Sequence, residues 1–219
     1  MVYLASKRNG GELKYFPVWQ YVVPASIGMI LEVFINSAFI GICNAIAISS
    51  VLSSLQDERI FRDSLTGLYN RSYLEEIKNM LEKKHNSYIS GVMLDLNGFK
   101  QINDTYGHAE GDQALITAAN IIKNGVGSYG DAIRYAGDEF IIMINSWDEK
   151  IVNQCVTKIE NDFKYYNNQK RKPYNLTVSM GYAMFNPETQ SVNEFLNTID
   201  KNMYDNKQKF HEMEKQGNN

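Results

Sequence analysis

The sequence predicts an α+β protein: a central, mostly antiparallel sheet flanked by helices, preceded by a two-helix apolar hairpin. Three observations carry that expectation. Residues 63–215 switch between helical and strand hydrophobic periods in the order helix, strand, helix, hairpin, helix, strand, helix, which sets helices against an antiparallel-rich sheet. In the middle, Asp131-Ala132-Ile133 and Ile141-Ile142-Met143-Ile144 flank a tight turn at Gly137, as two strands of a β-hairpin would. Ahead of both, the segment from Pro17 to Leu55 is almost free of charge, Glu32 being the exception.

The N-terminal segment sets the first boundary. Asn36-Ser37 divides it into two apolar stretches of roughly 18–20 residues, about what a membrane-spanning helix needs. Lys7, Arg8 and Lys14 precede the first stretch, Arg59 and Arg62 follow the second, and the turn between them has no Lys or Arg. By the positive-inside rule both ends face the cytoplasm. The expectation is a membrane-associated chain, held in the cell membrane by a hairpin over 1–55, with residues 63–215 in the cytoplasm. A cleaved leader fits poorly, because the apolar run is long and no clear cleavage site follows. The competing reading is a buried or dimerising helical pair, which Gln20, Glu32 and Asn44 favour. Residues 56–62 alternate in charge and lack Gly and Pro, which suits a helical linker or stalk.

The elements of 63–215 follow from local signals. Asn70 is a helix N-cap, with Leu74, Ile77 and Leu81 at helical spacing behind it. Gly91 to Leu96 is apolar on both faces, as a central strand is, and it delivers Asp95 at its end. Gly98-Phe99 turns the chain; glycine there lets a backbone approach a ligand, and free N–H groups cradle phosphate oxygens, with Lys100 adding charge. Ala114, Leu115, Ala118, Ile121 and Ile122 mark the next helix, and Trp147, Ile151, Val152, Val156, Ile159 and Phe163 another. Pro173 closes a loop before the strand Leu176 to Ala183. Ser191 and Glu194 have capping-box spacing, ahead of the stripe Phe195, Leu196, Ile199 and Met203.

The chemistry-bearing pattern is a strand ending in Asp95 and a hairpin tip carrying Asp138 and Glu139. Carboxylates from one strand and a neighbouring hairpin suit a divalent cation, since Mg2+ takes hard oxygen ligands and shares them with substrate phosphates. Other classes are disfavoured. The net charge of −3 gives no sign of nucleic-acid binding. Cys43 and Cys155 have no metal or redox spacing. Walker A and dinucleotide fingerprints are absent, as are internal repeats.

The chain resembles the GGDEF-domain diguanylate cyclases from about Asp63 to its C-terminus. The matching pieces are Asp63-Ser64-Leu65-Thr66-Gly67-Leu68-Tyr69-Asn70-Arg71, Asp95 to Asp104, Tyr106-Gly107-His108, Gly111-Asp112, Arg134 to Phe140, Val178-Ser179-Met180-Gly181 and Met203 to Lys207. The signature departs at Ala136, where the family has glycine. The resemblance implies a palm-like core shared with nucleotidyl cyclases and condensation of two GTP into cyclic di-GMP and two pyrophosphates, by a homodimer using Mg2+ or Mn2+. Asp95, the Leu96 carbonyl and Glu139 are then the metal ligands, and Asp138 activates the 3′-hydroxyl. Gly98, Phe99, Lys100 and Lys207 hold phosphates, with Gly137 at the turn. Asn103 and Asp112 read guanine, whose edge offers the acceptors and donors their side chains complement. His211 stands where a further cation is expected. Gly127 and Gly130 occupy the positions of the family's product-binding Arg and Asp, which implies no strong product inhibition through that loop. The alternative is a degenerate domain acting as a nucleotide receptor or interaction module.

Overall fold

The structure is a computed structural model, which describes residues 22–24, 26–30, 39–83 and 87–217. It divides into two compact units, Met1–Arg62 and Asp63–Asn219. In the first, residues 22–24 and 26–30 are helical, and helix α1 spans Phe39–Ile60, continuing through most of the expected linker. Among the described residues, no helix is long and apolar enough to cross a membrane. The expected hairpin over 1–55 falls in large part on residues outside the described ones. Within α1, Asn44 and the serines at 49, 50, 53 and 54 dilute the apolar content that an uncharged sequence suggested.

In the second unit, α2 is Arg71–Lys83, β1 Ile89–Leu96, α3 Phe99–Tyr106, α4 His108–Val126, β2 Gly130–Ala136 and β3 Glu139–Ile144. Then come α5, Glu149–Asn168, β4, Val178–Phe185, and α6, Val192–Gly217. The sheet order is β2-β3-β1-β4, with every neighbouring pair antiparallel. The α+β fold with an antiparallel sheet flanked by helices is thus present. Two details differ from the sequence reading. Two helices, not one, follow β1, because Gly107 takes φ 85 and breaks the run between α3 and α4. Trp147 precedes α5, whose N-cap is Asp148, and lies exposed against the Tyr88 ring instead of in the stripe.

Each local signal has a visible cause. The Asn70 carbonyl of the side chain accepts from Tyr73 N–H at 3.3 Å, at the start of α2. Ser191 and Glu194 form the reciprocal box: Ser191 N–H and Oγ donate to Glu194 Oε2, both at 2.8 Å, and Glu194 N–H donates to Ser191 Oγ at 3.2 Å. Ionised Glu194 is favoured by the bond from the Ser191 backbone, then by the Ser191 hydroxyl, and its pKa is lowered.

Two apolar layers sandwich the sheet. Val92, Leu94, Leu96, Phe140, Ile142 and Ile144 pack with α4 and α5 on one side. Met93, Ile133, Ile141 and Met143 pack with α2 and α6 on the other. β1 is the central strand, buried from Ser90 to Leu96. Strand alternation puts Gly91, Met93 and Asp95 on the α6 side. Gly91 is small because a Cβ there would come 2.6 Å from Phe195 Cζ. Along α6, Phe195, Ile199 and Met203 are buried at four-residue steps, and Lys207 is the next step. One helix face therefore begins as core and ends at Asp95.

Candidate functional site

Asp95 sits at the open end of β1, only 5 % exposed. Its cross-strand neighbour on β3 is Glu139, and on β4 it is Ser179. Leu96 N–H donates to the Asp138 carbonyl at 3.2 Å, so the hairpin tip is stitched to the end of β1. Lys207 Nζ lies 2.7 Å from Asp95 Oδ1. This contact is an ion pair and not an aligned hydrogen bond, because no donor reaches that buried oxygen in bonding geometry. Asp95, Asp138, Glu139 and Lys207 are thus brought together from the ends of β1 and β3, the turn between β2 and β3, and one helix.

The electrostatics are those of crowded anions. Burial, and then the Asp95 carboxylate, raise the pKa of Asp138; Lys207 and Arg134 oppose the shift. Burial, then Asp95, Asp138 and Asp200, raise that of Glu139, with Lys207 again opposing. Crowded carboxylates of this kind invite a cation. Among the described residues, no three His, Cys, Asp or Glu side chains form a ready-made cage. Mg2+ does not need one, since it is commonly held by one or two carboxylates plus substrate phosphates. The unbonded Asp95 oxygen and the neighbouring carboxylates fit such an ion.

Folding without a cation favours the protonated forms of Asp138 and Glu139, whose folded pKa values are raised. Sign follows from linkage: the cost of ionising them is absent below the unfolded value, about 4, and complete above the raised values. A cation requires the ionised forms. The gain in melting temperature from Mg2+ with a non-hydrolysable GTP analogue is therefore expected to be larger at about pH 7 than at about pH 4.5. Equal gains at the two pH values would count against carboxylate ligation.

Arg134, given no role from sequence, holds the hairpin. Its Nε donates to the Gly137 carbonyl at 3.0 Å, and its Nη1 reaches Asp63 Oδ1 at 3.1 Å and Oδ2 at 3.3 Å. Burial pushes the Asp63 carboxyl up, but bonds from Thr66 and Arg134 outweigh it and the net shift is downward. Asp63 is thus a structural anchor, tied to Thr66 and Arg134. Arg71 lies over the Tyr135 ring, 5.0 Å from its centroid.

Gly137 takes φ 47 in the turn, while Ala136, in β2, is outside the left-handed region. Alanine carries no backbone penalty there. Ala136→Gly is expected to leave the initial rate within about two-fold, the effect of a few tenths of a kcal/mol. A gain of orders of magnitude would show the natural turn to be crippled.

Gly98 caps α3 at φ 68 and is exposed, followed by half-buried Phe99 and exposed Lys100. Asn103 lies on α3 and Asp112 on α4. A Cβ on Gly111 would fall 1.9 Å from Asn103 Oδ1, so the Asn103 amide lies directly on the α4 backbone, next to exposed Asp112. Gly111→Ala is expected to displace Asn103 and reduce preference for guanine over adenine nucleotide. A buried base edge left without a partner costs about 1–3 kcal/mol. Unchanged GTP-to-ATP selectivity would separate Asn103 from base reading.

α4 is also braced from outside. Tyr174 Oη donates to Glu110 Oε1 at 2.5 Å, and Lys172 Nζ lies 2.6 Å from the same oxygen. The hydrogen bond from Lys172, then that from Tyr174, hold Glu110 below its usual pKa. In the run Lys170-Arg171-Lys172, Lys172 is thus tied to α4 while Lys170 and Arg171 are exposed. Asp200 was likewise missed, since an exposed helix aspartate carries no local signal. The side chain of His211 lies outside the described residues.

A protein-family model described as "Diguanylate cyclase, GGDEF domain" matches residues 60–213. The chain is 34 % identical over 140 residues to Diguanylate cyclase A of Treponema denticola, covering 62 % of this chain and 36 % of that protein. It is 34 % identical over 149 residues to the probable diguanylate cyclase DgcJ of Escherichia coli, covering 67 % and 29 %. The chain thus spans about a third of the length of these curated relatives. In fold it is similar to the coiled coil and GGDEF domain of DgcB from Caulobacter crescentus, solved in complex with c-di-GMP. That similarity has a TM-score of 0.65 at 24 % identity, covering 74 % of this chain and 88 % of that one. With the family model matched across most of its length and its signature folded into the hairpin beside Asp95, this chain belongs to the GGDEF diguanylate cyclase domain family.

Proposed function

We propose that the protein is a diguanylate cyclase, condensing two GTP into cyclic di-GMP and two pyrophosphates. The observation that carries the reading is the meeting of Asp95, Asp138 and Glu139 under the Lys207 ammonium. A degenerate domain has no physical need to keep three repelling carboxylates at one strand end. Within the family it is Ala136 and His211 that favour a receptor without turnover; against the first, Ala136 lies outside the left-handed region, where alanine is not strained.

In the reaction each ribose 3′-oxygen forms a bond to the α-phosphorus of the other nucleotide. The bond from that phosphorus to pyrophosphate breaks, and the 3′-proton leaves. Asp138, at the hairpin tip stitched to the end of β1, takes that proton as general base. Asp95, the Leu96 carbonyl and Glu139 would hold the divalent cation, Mg2+ or Mn2+. When bound, the cation supplies charge neutralisation on the phosphates and leaving group. Lys207, Lys100 and the Gly98 and Phe99 backbone hold phosphate oxygens; Asn103 and Asp112 hold guanine. Each domain presents one nucleotide, so two domains must meet face to face as a homodimer.

The test is incubation of the purified full chain with GTP and Mg2+, followed by separation of products. Cyclic di-GMP from GTP, and none from ATP, is the expected result. Nucleotide binding without product would return the receptor reading.

We also assign the N-terminal segment to membrane association. Its support is the uncharged stretch of sequence and the outward exposure of Ile42, Ile46 and Ile48 on α1. A second copy of the segment is the other occupant such a surface fits. Detergent-dependent extraction of the full chain is expected, and full recovery in a high-salt wash without detergent would refute it.

A further inference from the structure

We propose that Asn202 and Asn206 are positioning residues that pin the register of α6 on the sheet and so set Lys207 over Asp95. The inference rests on the reading of Lys207 as a phosphate-holding residue.

β4 is the outer strand of the sheet, paired with β1 alone. Its outward-facing carbonyls have no strand to accept from. Asn202 Nδ2 donates to the Tyr182 carbonyl at 2.9 Å, and Asn206 Nδ2 donates to the Met180 carbonyl at 2.7 Å. Four residues of helix advance about 6 Å, and two residues of strand about 6.7 Å. The two amides therefore match two successive outward carbonyls, the helix running opposite to the strand. A shift of α6 by one residue, or a turn about its axis, breaks both bonds at once.

The apolar stripe has no such precision. Phe195, Ile199 and Met203 are held by non-directional contacts, and the last of them lies a full turn before Lys207. At Gly181 the helix backbone lies close over β4, which fixes height but not register. Direction comes from the two amides. They stand next to the chemistry on both elements: Asn206 immediately precedes Lys207, and Met180 immediately follows Ser179, the cross-strand neighbour of Asp95. A slide at this point moves the backbone that carries the Lys207 ammonium.

The alternative is that the two amides only cap a strand edge. The test uses the nucleotide-free full chain and the variants Asn202→Ala and Asn206→Ala. Asp205→Ala, an exposed change on the same turn, is the control. Asn206 is itself exposed and Asn202 half-buried, so both variants are expected to fold. The first readout is the rate at which an amine-acylating reagent labels Lys207, followed by mass spectrometry. The second is kcat for GTP.

Labelling of Lys207 should rise about ten-fold in each asparagine variant, and kcat should fall by about the same factor, as for other residues that orient a ligand. Asp205→Ala should change neither. A drop in melting temperature with Lys207 labelling within two-fold of the unmodified chain would overturn the proposal. Faster labelling with unchanged kcat would uphold the positioning and remove Lys207 from turnover, which separates this inference from the functional reading.

Discussion

Asp95→Asn is expected to lower turnover by a factor on the order of 10² to 10³, with little loss of folded stability. The size is that of removing one group aimed at charge developing in a transition state, about 3–4 kcal/mol. Here the group is buried, has Lys207 at 2.7 Å and faces Glu139 across the strands. The amide is nearly isosteric with the carboxylate, so the packing beneath it stays. Two electrostatic changes then oppose each other. Lys207 loses its partner, which costs stability, while Asp138 and Glu139 lose the anion that helps raise their pKa values. The melting temperature without cation should therefore move by only a few degrees. The stabilisation by Mg2+ and nucleotide together should fall sharply, because a hard-cation ligand has gone. The measurement is a paired set: initial rate, and melting temperature with and without Mg2+ and a non-hydrolysable GTP analogue. Turnover within ten-fold of the unmodified chain would take Asp95 out of the site.

Much of this arrangement was legible in the sequence, for reasons that can be named. β1 reads as a central strand because both of its faces must be apolar, and its burial from Ser90 to Leu96 matches that. Caps are legible because they are short-range: Asn70 to Tyr73 and Ser191 to Glu194 each span three residues. The hairpin is legible because the turn at Gly137 demands positive φ. What local pattern does not carry is order in the sheet. Nothing near β4 says that it pairs with β1 on the side away from β3, yet that pairing puts Ser179 beside Asp95.

The same limit explains the site residues that were missed. Arg134 acts through Asp63 and the Gly137 carbonyl, a long-range and a short-range contact that no period marks. Lys172 looks solvated in sequence and is bound to Glu110 in the fold. Asn202 and Asn206 lie off the apolar stripe of α6 and read as surface. By contrast, Lys207 falls on the stripe itself, one step beyond Met203. There the helix face passes from core to a half-buried lysine, which meets Asp95.

Gly181→Ala is expected to produce the largest loss of stability of any single methyl addition near the site. A Cβ at Gly181 would lie 2.0 Å from Met203 N and 2.4 Å from the Asn202 carbonyl carbon. Both are main-chain atoms of α6, so no rotamer change relieves the clash; the whole helix must lift. Overpacking of side chains typically costs about 1–3 kcal/mol, and backbone against backbone falls at or above the top of that range. About 3 kcal/mol corresponds to a fall of roughly 6–12 °C in melting temperature for a domain of this size. Gly67→Ala is the informative contrast. Gly67 has φ +69 but nothing within 4 Å of the added methyl, so only the backbone strain of about 1–2 kcal/mol applies. The two variants carry the same chemical change, and their difference isolates the closeness of α6 to β4. Lifting the helix also breaks the Asn202 and Asn206 bonds and withdraws Lys207 from Asp95. Gly181→Ala should therefore lose turnover even at temperatures where it stays folded, whereas Gly67→Ala should keep it. Equal melting temperatures for the two variants would mean that α6 does not press on the sheet at Gly181.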